Sequence, residues 1–334
     1  MNASLKQKCE LLADNYTVIH KDFVLEFEIM EMVAASSYMY AGMKADTEKM
    51  KECRKILAGK QGMFSELRST VELALLSKMA VDNNPEAYLD EVIGVYEKVK
   101  KGKIFSSPYM VLSAMIIVDQ HKVGQADEVI KKLNSIMNKM EKEHPILTGK
   151  EDMPLATIMA LSPIDADKLI DEMEACFDIL KKKFVFHKDA VQGLCQVLCI
   201  SGSGSEDKCK KAADIFDALK KKGIKYGKSI ELAALGALVD IDMDADAIAT
   251  EIDECSDLLK KHKGFGNLSL GKEYRAMFSA LLVAEEYAPR AAGIQNATIG
   301  SSIAVTIAEE VVMAIILATC TTASAAAATT ASSN

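Results

Sequence analysis

The sequence predicts an all-α protein in which antiparallel helix pairs of about 40 residues repeat and form a two-layer α-solenoid or α/α toroid. Three observations favour this fold class. The 334 residues include no Trp and only 6% aromatic residues, a composition that is typical of helices rather than strands. Dense apolar segments recur at an even spacing. An amphipathic segment that ends in lysines follows most of them.

The repeat is defined by its dense apolar segments and by the short acidic or proline-containing links that follow most of them. The dense segments are Val71–Ala80, Tyr109–Val118, Leu155–Leu161, Ala190–Ile200, Ile230–Val239 and Tyr274–Ala284. The predicted units are 23–64, 65–105, 106–147, 148–186, 187–226 and 227–267, each 39 to 42 residues long, with a partial unit 268–294. We therefore expect one helical-repeat domain over residues 1–294.

Local signals place the first (A) and second (B) helix of each unit. Ser107 and Pro108 suit the N-cap and first turn of an A helix, and Asn84-Pro85 suits the start of a B helix. Thr148 and Glu151 have the spacing of a capping box. The A segments are apolar almost all round, whereas the B segments are amphipathic. We expect A helices inside and B helices outside, and the sequence does not choose between an open and a closed array.

The C-terminal part, 295–334, is predicted to be a helix to about Leu317 followed by a low-complexity Ala/Ser/Thr-rich tail. The favoured interpretation is a helix that caps the last repeat. Two alternatives remain open. The helix could associate with a partner, a second copy or a membrane surface, or it could occupy the protein's own central groove.

Charge and composition limit the classes of partner. The formal net charge of −8 argues against general nucleic-acid binding, and no specific nucleic-acid motif is present. The N-terminal residues lack the apolar core of a signal peptide, so we expect a cytoplasmic protein with reduced cysteines. The apolar stretch Ile303–Leu317 carries Glu309 and Glu310 at its centre, and we therefore expect no transmembrane span.

Three short motifs resemble an uncharacterised family of Gram-positive bacteria, number four thousand and three in the domain-of-unknown-function series. They are His144-Pro145-Ile146-Leu147-Thr148 with Glu151-Asp152, Phe105-Ser106-Ser107-Pro108-Tyr109, and Val191-Gln192-Gly193-Leu194. The likeness extends over most of the chain, including the C-terminal tail. It implies a bacterial, cytosolic protein and supplies no activity.

Antiparallel pairs would place the lysine-rich ends of the B helices and the N-termini of the next A helices on one edge. The candidate anion-binding residues on this edge are Lys100, Lys142, Lys182, Lys221 and Lys261. The opposite edge would collect acidic residues from Asp82 to Asp246. The simpler interpretation is that these lysines are solvated and complement the helix dipoles.

The only candidate catalytic residues lie at the same edge, in two consecutive units. They are His144, Glu151, Asp152, His187 and Asp189, which adjacent units would bring close together. Imidazoles and carboxylates at the N-termini of inner helices could act as acids, bases or metal ligands. The simpler interpretation makes Glu151 and Asp189 capping residues and His144-Pro145 a loop.

No cofactor-binding motif and no metal-binding motif is predicted. Cys195 and Cys199 are four residues apart, and Cys176 and Cys209 could lie near them, but paired CxxC motifs are missing. Buried apolar cysteines are the favoured interpretation. Gly202-Ser203-Gly204-Ser205 is interpreted as a turn and not as a phosphate loop.

The sequence therefore favours a cytosolic binding or scaffold protein that uses its concave surface or its basic edge to hold a protein or an anionic small molecule. The alternative is an enzyme of α/α-toroid type with an acid/base or metal pocket at the N-termini of the inner helices. Whether the chain is an enzyme stays open at this stage.

Overall fold

A computed structural model describes residues 1–267, 269–288 and 296–331, and these residues form an all-α fold with fifteen α-helices and no β-strand. The all-α prediction is thus confirmed. The helices are α1 (Ala3–Asp22), α2 (Glu28–Tyr40), α3 (Thr47–Lys60), α4 (Glu72–Val81), α5 (Pro85–Lys100), α6 (Pro108–Asp119), α7 (Ala126–Glu143), α8 (Met153–Leu161), α9 (Ala166–Leu180), α10 (Lys188–Leu198), α11 (Ser205–Lys221), α12 (Ala233–Gly236), α13 (Ala245–Leu259), α14 (Lys272–Tyr287) and α15 (Asn296–Ala331). Short 3₁₀ helices at Glu66–Arg68, Lys150–Asp152 and Ile230–Leu232 precede α4, α8 and α12.

Buried and amphipathic helices alternate along the chain. The even-numbered helices α2 to α14 are buried along most of their length, and every residue from Tyr109 to Val118 of α6 is buried. The odd-numbered helices α1 to α13 bury one stripe, as α7 does with Val129, Ile130 and Leu133. This alternation follows from the apolar pattern, because a helix that is apolar all round must be covered on every side.

The odd-numbered helices contact one another in an unbroken series. Each of α3, α5, α7, α9 and α11 packs against the next odd-numbered helix, which brings the series to α13. Helix α1 then contacts α13 and α14 from one direction and α2 and α3 from the other. Helix α1 is therefore in contact both with the helices that follow it directly and with the last helices of the series.

Helix α15 is in contact with helices from both halves of the chain. It packs against α2, α6, α8, α12 and α14. Its residues Ile303, Ala304, Ile307, Ala308 and Val312 are buried. These contacts match the alternative in which the helix occupies the central groove, because a cap on the last repeat would not reach α2 or α6.

The apolar character of α15 is accounted for by this packing. The window Ile299–Ile316 has a mean hydropathy of 1.8 and is long enough to span a membrane, but 67% of it is buried inside the protein. A core helix is therefore the simpler explanation of its composition.

Helix α15 also continues past the predicted end at Leu317, to Ala331. Ala is the best helix former, and no Pro or Gly follows Gly300 to stop the helix. The predicted boundary at residues 294 and 295 lies outside the described residues, and the division into domains stays a prediction.

The segments between the helices lie on two edges. We call the segment from an odd-numbered helix to the next even-numbered helix a junction. Neighbouring junctions contact one another: Ser106 donates to Glu66 over 2.8 Å, and the Lys150 ammonium lies 5.6 Å from the centre of the Phe105 ring. The segments from even-numbered to odd-numbered helices meet in the same way, as Ser201 donates to Asp240 over 2.6 Å. We name the first set the lysine edge and the second set the acidic edge.

Candidate functional site

A cavity of about 400 Å³ opens at the lysine edge, where α8, α10 and the 3₁₀ turn before α12 begin. Helix α15 supplies the remaining wall. The polar residues that line the cavity are Glu151, Asp152, His187, Asp189, Gln196, Lys228, Ser229, Thr306 and Glu310. The cavity thus collects four carboxyl groups: two from the junction before α8, one from the first turn of α10 and one from the C-terminal helix. We call it the acidic pocket.

Asp152 is the best-anchored carboxyl group of the acidic pocket. It ends the 3₁₀ turn before α8 and is buried. Its Oδ2 accepts a hydrogen bond from the Gly149 backbone N–H over 2.9 Å, and its Oδ1 accepts one from Gln192 Nε2 over 3.1 Å. The Asp152 pKa is raised to about 6, mainly by burial and also by the negative charges of Glu151 and Asp189, although both hydrogen bonds act in the opposite direction.

Glu310 lines the same pocket as Asp152, from α15. Burial, together with the charges of Asp152, Glu151, Asp189 and Glu231, raises the Glu310 pKa to about 8. Among the described residues its carboxyl group has no hydrogen-bond partner. Both carboxyl groups therefore favour the protonated form more than an exposed carboxyl group does, and Glu310 does so more strongly than Asp152.

The adjacent Glu309 serves a different surface, because neighbouring residues of a helix point about 100° apart. Its side chain is fully buried, and Thr70 donates a hydrogen bond to Oε1 over 2.6 Å. Burial raises the Glu309 pKa to about 6. The two glutamates of α15 thus have separate environments, and only Glu310 lines the pocket.

Glu151 and Asp189 are the other two carboxyl groups of the acidic pocket. Neither has the helix-capping role that the simpler interpretation of the sequence assigned. The side chain that accepts from the backbone at this helix start is Asp152, because the 3₁₀ turn places it three residues after Gly149. The Thr148 hydroxyl instead accepts from Gln192 over 3.3 Å. Asp189 lies within the first turn of α10 and is exposed, while the N-cap residue is His187.

His144 lies outside the acidic pocket. Its Nε2 is 2.9 Å from Glu174 Oε2 on α9, and its ring is 4.5 Å from the centre of the Phe177 ring. His187, in contrast, lines the pocket beside Asp189. Four of the five candidate catalytic residues therefore line the acidic pocket. The fifth, His144, instead links its junction to α9.

Sequence reasoning missed three residues of this site: Gln192, Gln196 and Glu310. Gln192 and Gln196 are buried on α10, and Gln196 Nε2 lies 3.4 Å from the Asp152 carbonyl oxygen. The carbonyl oxygen of each side-chain amide is buried without a hydrogen-bond partner in the described structure. The available signal was a pair of glutamines four residues apart in an otherwise apolar helix, since buried amides need partners.

The candidate anion-binding lysines lie outside the acidic pocket. Lys142, Lys182, Lys221 and Lys261 are exposed, and the Lys100 ammonium lies 5.7 Å from the centre of the Tyr96 ring. The lysine that lines the pocket is Lys228. Anion binding at these five residues stays a prediction.

The described residues contain no group of three side chains that could hold a metal ion. Cys176, Cys195, Cys199 and Cys209 are free and buried, and Cys209 Sγ lies 3.7 Å from the Cys176 carbonyl oxygen. Burial raises the pKa of Cys195 well above its usual value, so that its thiol stays protonated. These cysteines act as small core residues in the described part of the chain.

Comparisons with known proteins give one match. The family model described as "Protein of unknown function (DUF4003)" matches residues 15–315. The search of curated proteins found no match, and the search of solved structures found none either. The match covers most of the chain, including all five helices that contact α15 and the pocket residues from Glu151 to Glu310. The resemblance seen in the three motifs is confirmed, and the chain belongs to the DUF4003 family.

Proposed function

We propose that the helices repeat as pairs that close into an α/α toroid, and that the acidic pocket at its mouth binds a small polar molecule with a positive charge. In this proposal α1 completes the pair of α14, and α15 fills the centre of the ring. The contacts of α1 with α13 and α3 support closure, because they join the two ends of the helix series.

The charge of the acidic pocket supports a cationic ligand. The Glu310 pKa is raised by burial and by four neighbouring carboxylates, so the pocket has a negative potential that an ammonium group would relieve. Binding of a cation would favour the ionised form of Glu310 and release its proton. Lys228 also lines the pocket, but it is exposed, and its ammonium lies 6.0 Å from the centre of the Phe216 ring.

The same carboxyl groups could carry acid/base chemistry on that ligand. Asp152 and Glu310 have raised and different pKa values of about 6 and about 8. A pair of carboxyl groups in different protonation states is the arrangement that enzymes use to donate and accept a proton in one site. Proton transfer between ligand and the Asp152–Glu310 pair is therefore part of the proposed function.

A scaffold role for the concave surface has less support. Helix α15 packs against the even-numbered helices whose surface would form the groove. A cytosolic location remains part of the proposal, and it is supported by seven cysteines that are all free within the described residues.

The observation that carries the proposal is the convergence of Glu151, Asp152, Asp189 and Glu310 in one cavity. It is tested by a ¹⁹F NMR screen of cationic, neutral and anionic fragments at neutral pH, using the wild type, the double variant Glu151→Gln/Asp189→Asn and the control Lys142→Gln. We expect cationic fragments to predominate among the hits and to be lost only in the double variant.

The hits also report on proton transfer. Calorimetry of a cationic hit in buffers of different ionisation enthalpy should show proton release that the Glu310→Gln variant lacks. Equal numbers of anionic and cationic hits would contradict the ligand class. Hits that survive in the double variant would show that the acidic pocket is not the binding site.

A further inference from the structure

Large apolar side chains are exposed at equivalent positions of five junctions on the lysine edge. We call these five residues the apolar tips. They are Leu25, Phe64, Ile104, Ile146 and Phe186, with exposed fractions of 97%, 98%, 89%, 95% and 93%. Single exposed apolar residues are normal on protein surfaces, but a set that recurs at one position of successive junctions marks an interaction surface.

The junctions hold these side chains outward by anchoring a neighbouring apolar residue inward. Phe184 is buried and its ring meets Phe216 edge-on at 5.1 Å, while Phe186, two residues later, points to solvent. Phe23 and Leu25 show the same contrast between a buried and an exposed position. The tips are therefore exposed from ordered segments, because packing of the inner residue fixes each junction.

Lysine-rich segments carry two of the apolar tips, Ile104 and Phe186, and a third such segment lies on the same edge. Residues 100–106 contain three lysines, residues 181–188 contain four and residues 220–229 contain five, and none of these segments contains an acidic residue. The junctions of Leu25, Phe64 and Ile146 also contain acidic residues: Glu26, which lies 2.7 Å from Arg54, Glu66, and the pocket residues Glu151 and Asp152. The edge thus combines exposed apolar side chains with three strongly basic segments around the acidic pocket, although the whole chain carries a net charge of −8.

Contact with a second copy of the chain fits this surface poorly. A face-to-face dimer would bring the basic segments of both copies together. On the acidic edge, the exposed large apolar residue among those described is Met43, with 39% of its surface exposed, so a head-to-tail contact would leave the tips without an apolar counterpart. An anionic bilayer offers both an apolar interior for the tips and negative headgroups for the lysines.

We propose that the lysine edge docks on the surface of an anionic lipid bilayer, with the apolar tips inserted among the lipids and the surrounding lysines on the headgroups. The acidic pocket opens among these tips, because Ile146 and Phe186 also line it. Docking would turn the pocket mouth toward the membrane. This inference does not depend on the ligand of the pocket.

The absence of Trp from the sequence permits a direct test with the full chain. The Phe64→Trp variant carries a single Trp on an apolar tip, and the Met43→Trp variant carries one on the acidic edge as a matched control. Both are mixed with vesicles of phosphatidylcholine alone and of phosphatidylcholine with about 30% phosphatidylglycerol. We expect a blue shift of Trp emission only for Phe64→Trp and only with the anionic vesicles.

Co-sedimentation with the same vesicles measures affinity. The double variant Phe64→Ser/Phe186→Ser should bind anionic vesicles at least roughly tenfold more weakly than the wild type, because two apolar side chains no longer insert. Lys101→Gln/Lys182→Gln should weaken binding and reduce its salt dependence, whereas Lys168→Gln on the acidic edge should not. Thermal unfolding of each variant is compared with that of the wild type, so that a loss of binding is not caused by a loss of folding.

Three results would overturn the inference. One is a folded wild type that does not sediment with anionic vesicles. Another is binding that is unchanged by Phe64→Ser/Phe186→Ser. The third is a wild-type oligomer that dissociates in this double variant while vesicle binding is absent, which would assign the apolar tips to a contact between copies.

Discussion

The two edges of the helix array differ in how far their side chains are satisfied within the protein. On the acidic edge, lysines of odd-numbered helices donate to the backbone of the next unit: Lys49 to the Asp82 carbonyl, Lys132 to those of Ser162 and Ile164, and Lys211 to that of Met243. Asp119 pairs with Lys78 at 2.8 Å and accepts from Tyr88 at 2.9 Å. These side chains of the acidic edge are therefore satisfied by hydrogen bonds and ion pairs within the protein.

The lysine edge is different, because its conspicuous groups have few partners within the chain. The apolar tips are exposed, and Glu310 has a pKa raised to about 8 without a hydrogen bond in the described structure. An excess of charged side chains therefore does not by itself distinguish an edge whose groups are paired from one whose groups are not. The acidic edge uses its charges for stability, whereas the lysine edge leaves apolar and acidic groups available for a ligand or a surface.

The variant with the largest expected effect tests whether the junctions of the lysine edge are anchored by one buried apolar residue while its neighbour is exposed. Phe184→Ala should lower the free energy of unfolding by ~3–5 kcal/mol, because it removes a buried ring. Phe186→Ala, two residues away, is the matched control and should change it by less than ~0.5 kcal/mol. Urea unfolding measures both, and similar losses would mean that Phe186 is a core residue.

The pH dependence of stability tests the burial of Glu310. Its folded pKa of about 8 exceeds the ordinary value of 4.5, so folding binds a proton. The protonated Glu310 stabilises the folded state, and this contribution is complete below a pH of about 4.5. It is lost as the pH rises through about 8. Glu310→Gln should therefore flatten the decline in the free energy of unfolding between acid and alkaline pH, by on the order of 3 kcal/mol.

Asp207→Asn is the control for this titration, because Asp207 is an exposed carboxylate of the acidic edge. Its pH profile of the free energy of unfolding should follow that of the wild type. If Glu310→Gln and wild type give parallel profiles, Glu310 is solvated and the acidic pocket lacks its proposed proton donor.

Lys132→Met tests the closure of the acidic edge. Burial lowers the Lys132 pKa, and its ammonium donates to two backbone carbonyls over 2.7 Å and 2.5 Å. Met keeps much of the volume but leaves both acceptors unpaired, so we expect a loss of ~1–3 kcal/mol in the free energy of unfolding. Lys142→Met on the lysine edge should have no measurable effect, and an equal effect of both would abolish the distinction between the edges.

Asp119→Asn should have the smallest effect of the series. It removes the charge that holds Lys78 and weakens the acceptor for the Tyr88 hydroxyl, with an expected cost of ~1–2 kcal/mol. Asp242→Asn changes an exposed carboxylate on the same edge and serves as control. Thermal unfolding monitored by circular dichroism compares them, and equal melting temperatures would show that the Asp119 pair contributes nothing.

Part of the candidate site was predictable from the sequence, because the sequence predicts helix pairs at an even spacing. Asp152 and Asp189 were expected to lie together, and both line the acidic pocket. His144 follows the same spacing but turns to Glu174 on α9, a contact for which the pattern gives no signal. Glu310 could not be placed, since nothing in an apolar helix indicates which helices it will contact.

The sequence by itself determined the secondary structure class and the alternation of buried and amphipathic helices, because helix propensity and apolar periodicity act over short distances along the chain. Only the tertiary structure decided where α1 and α15 lie, and with them the partners of Glu309 and Glu310. Those positions depend on contacts between residues far apart in the chain, where shape and burial select among helices that are equally apolar. The raised pKa of Glu310 is a product of that selection.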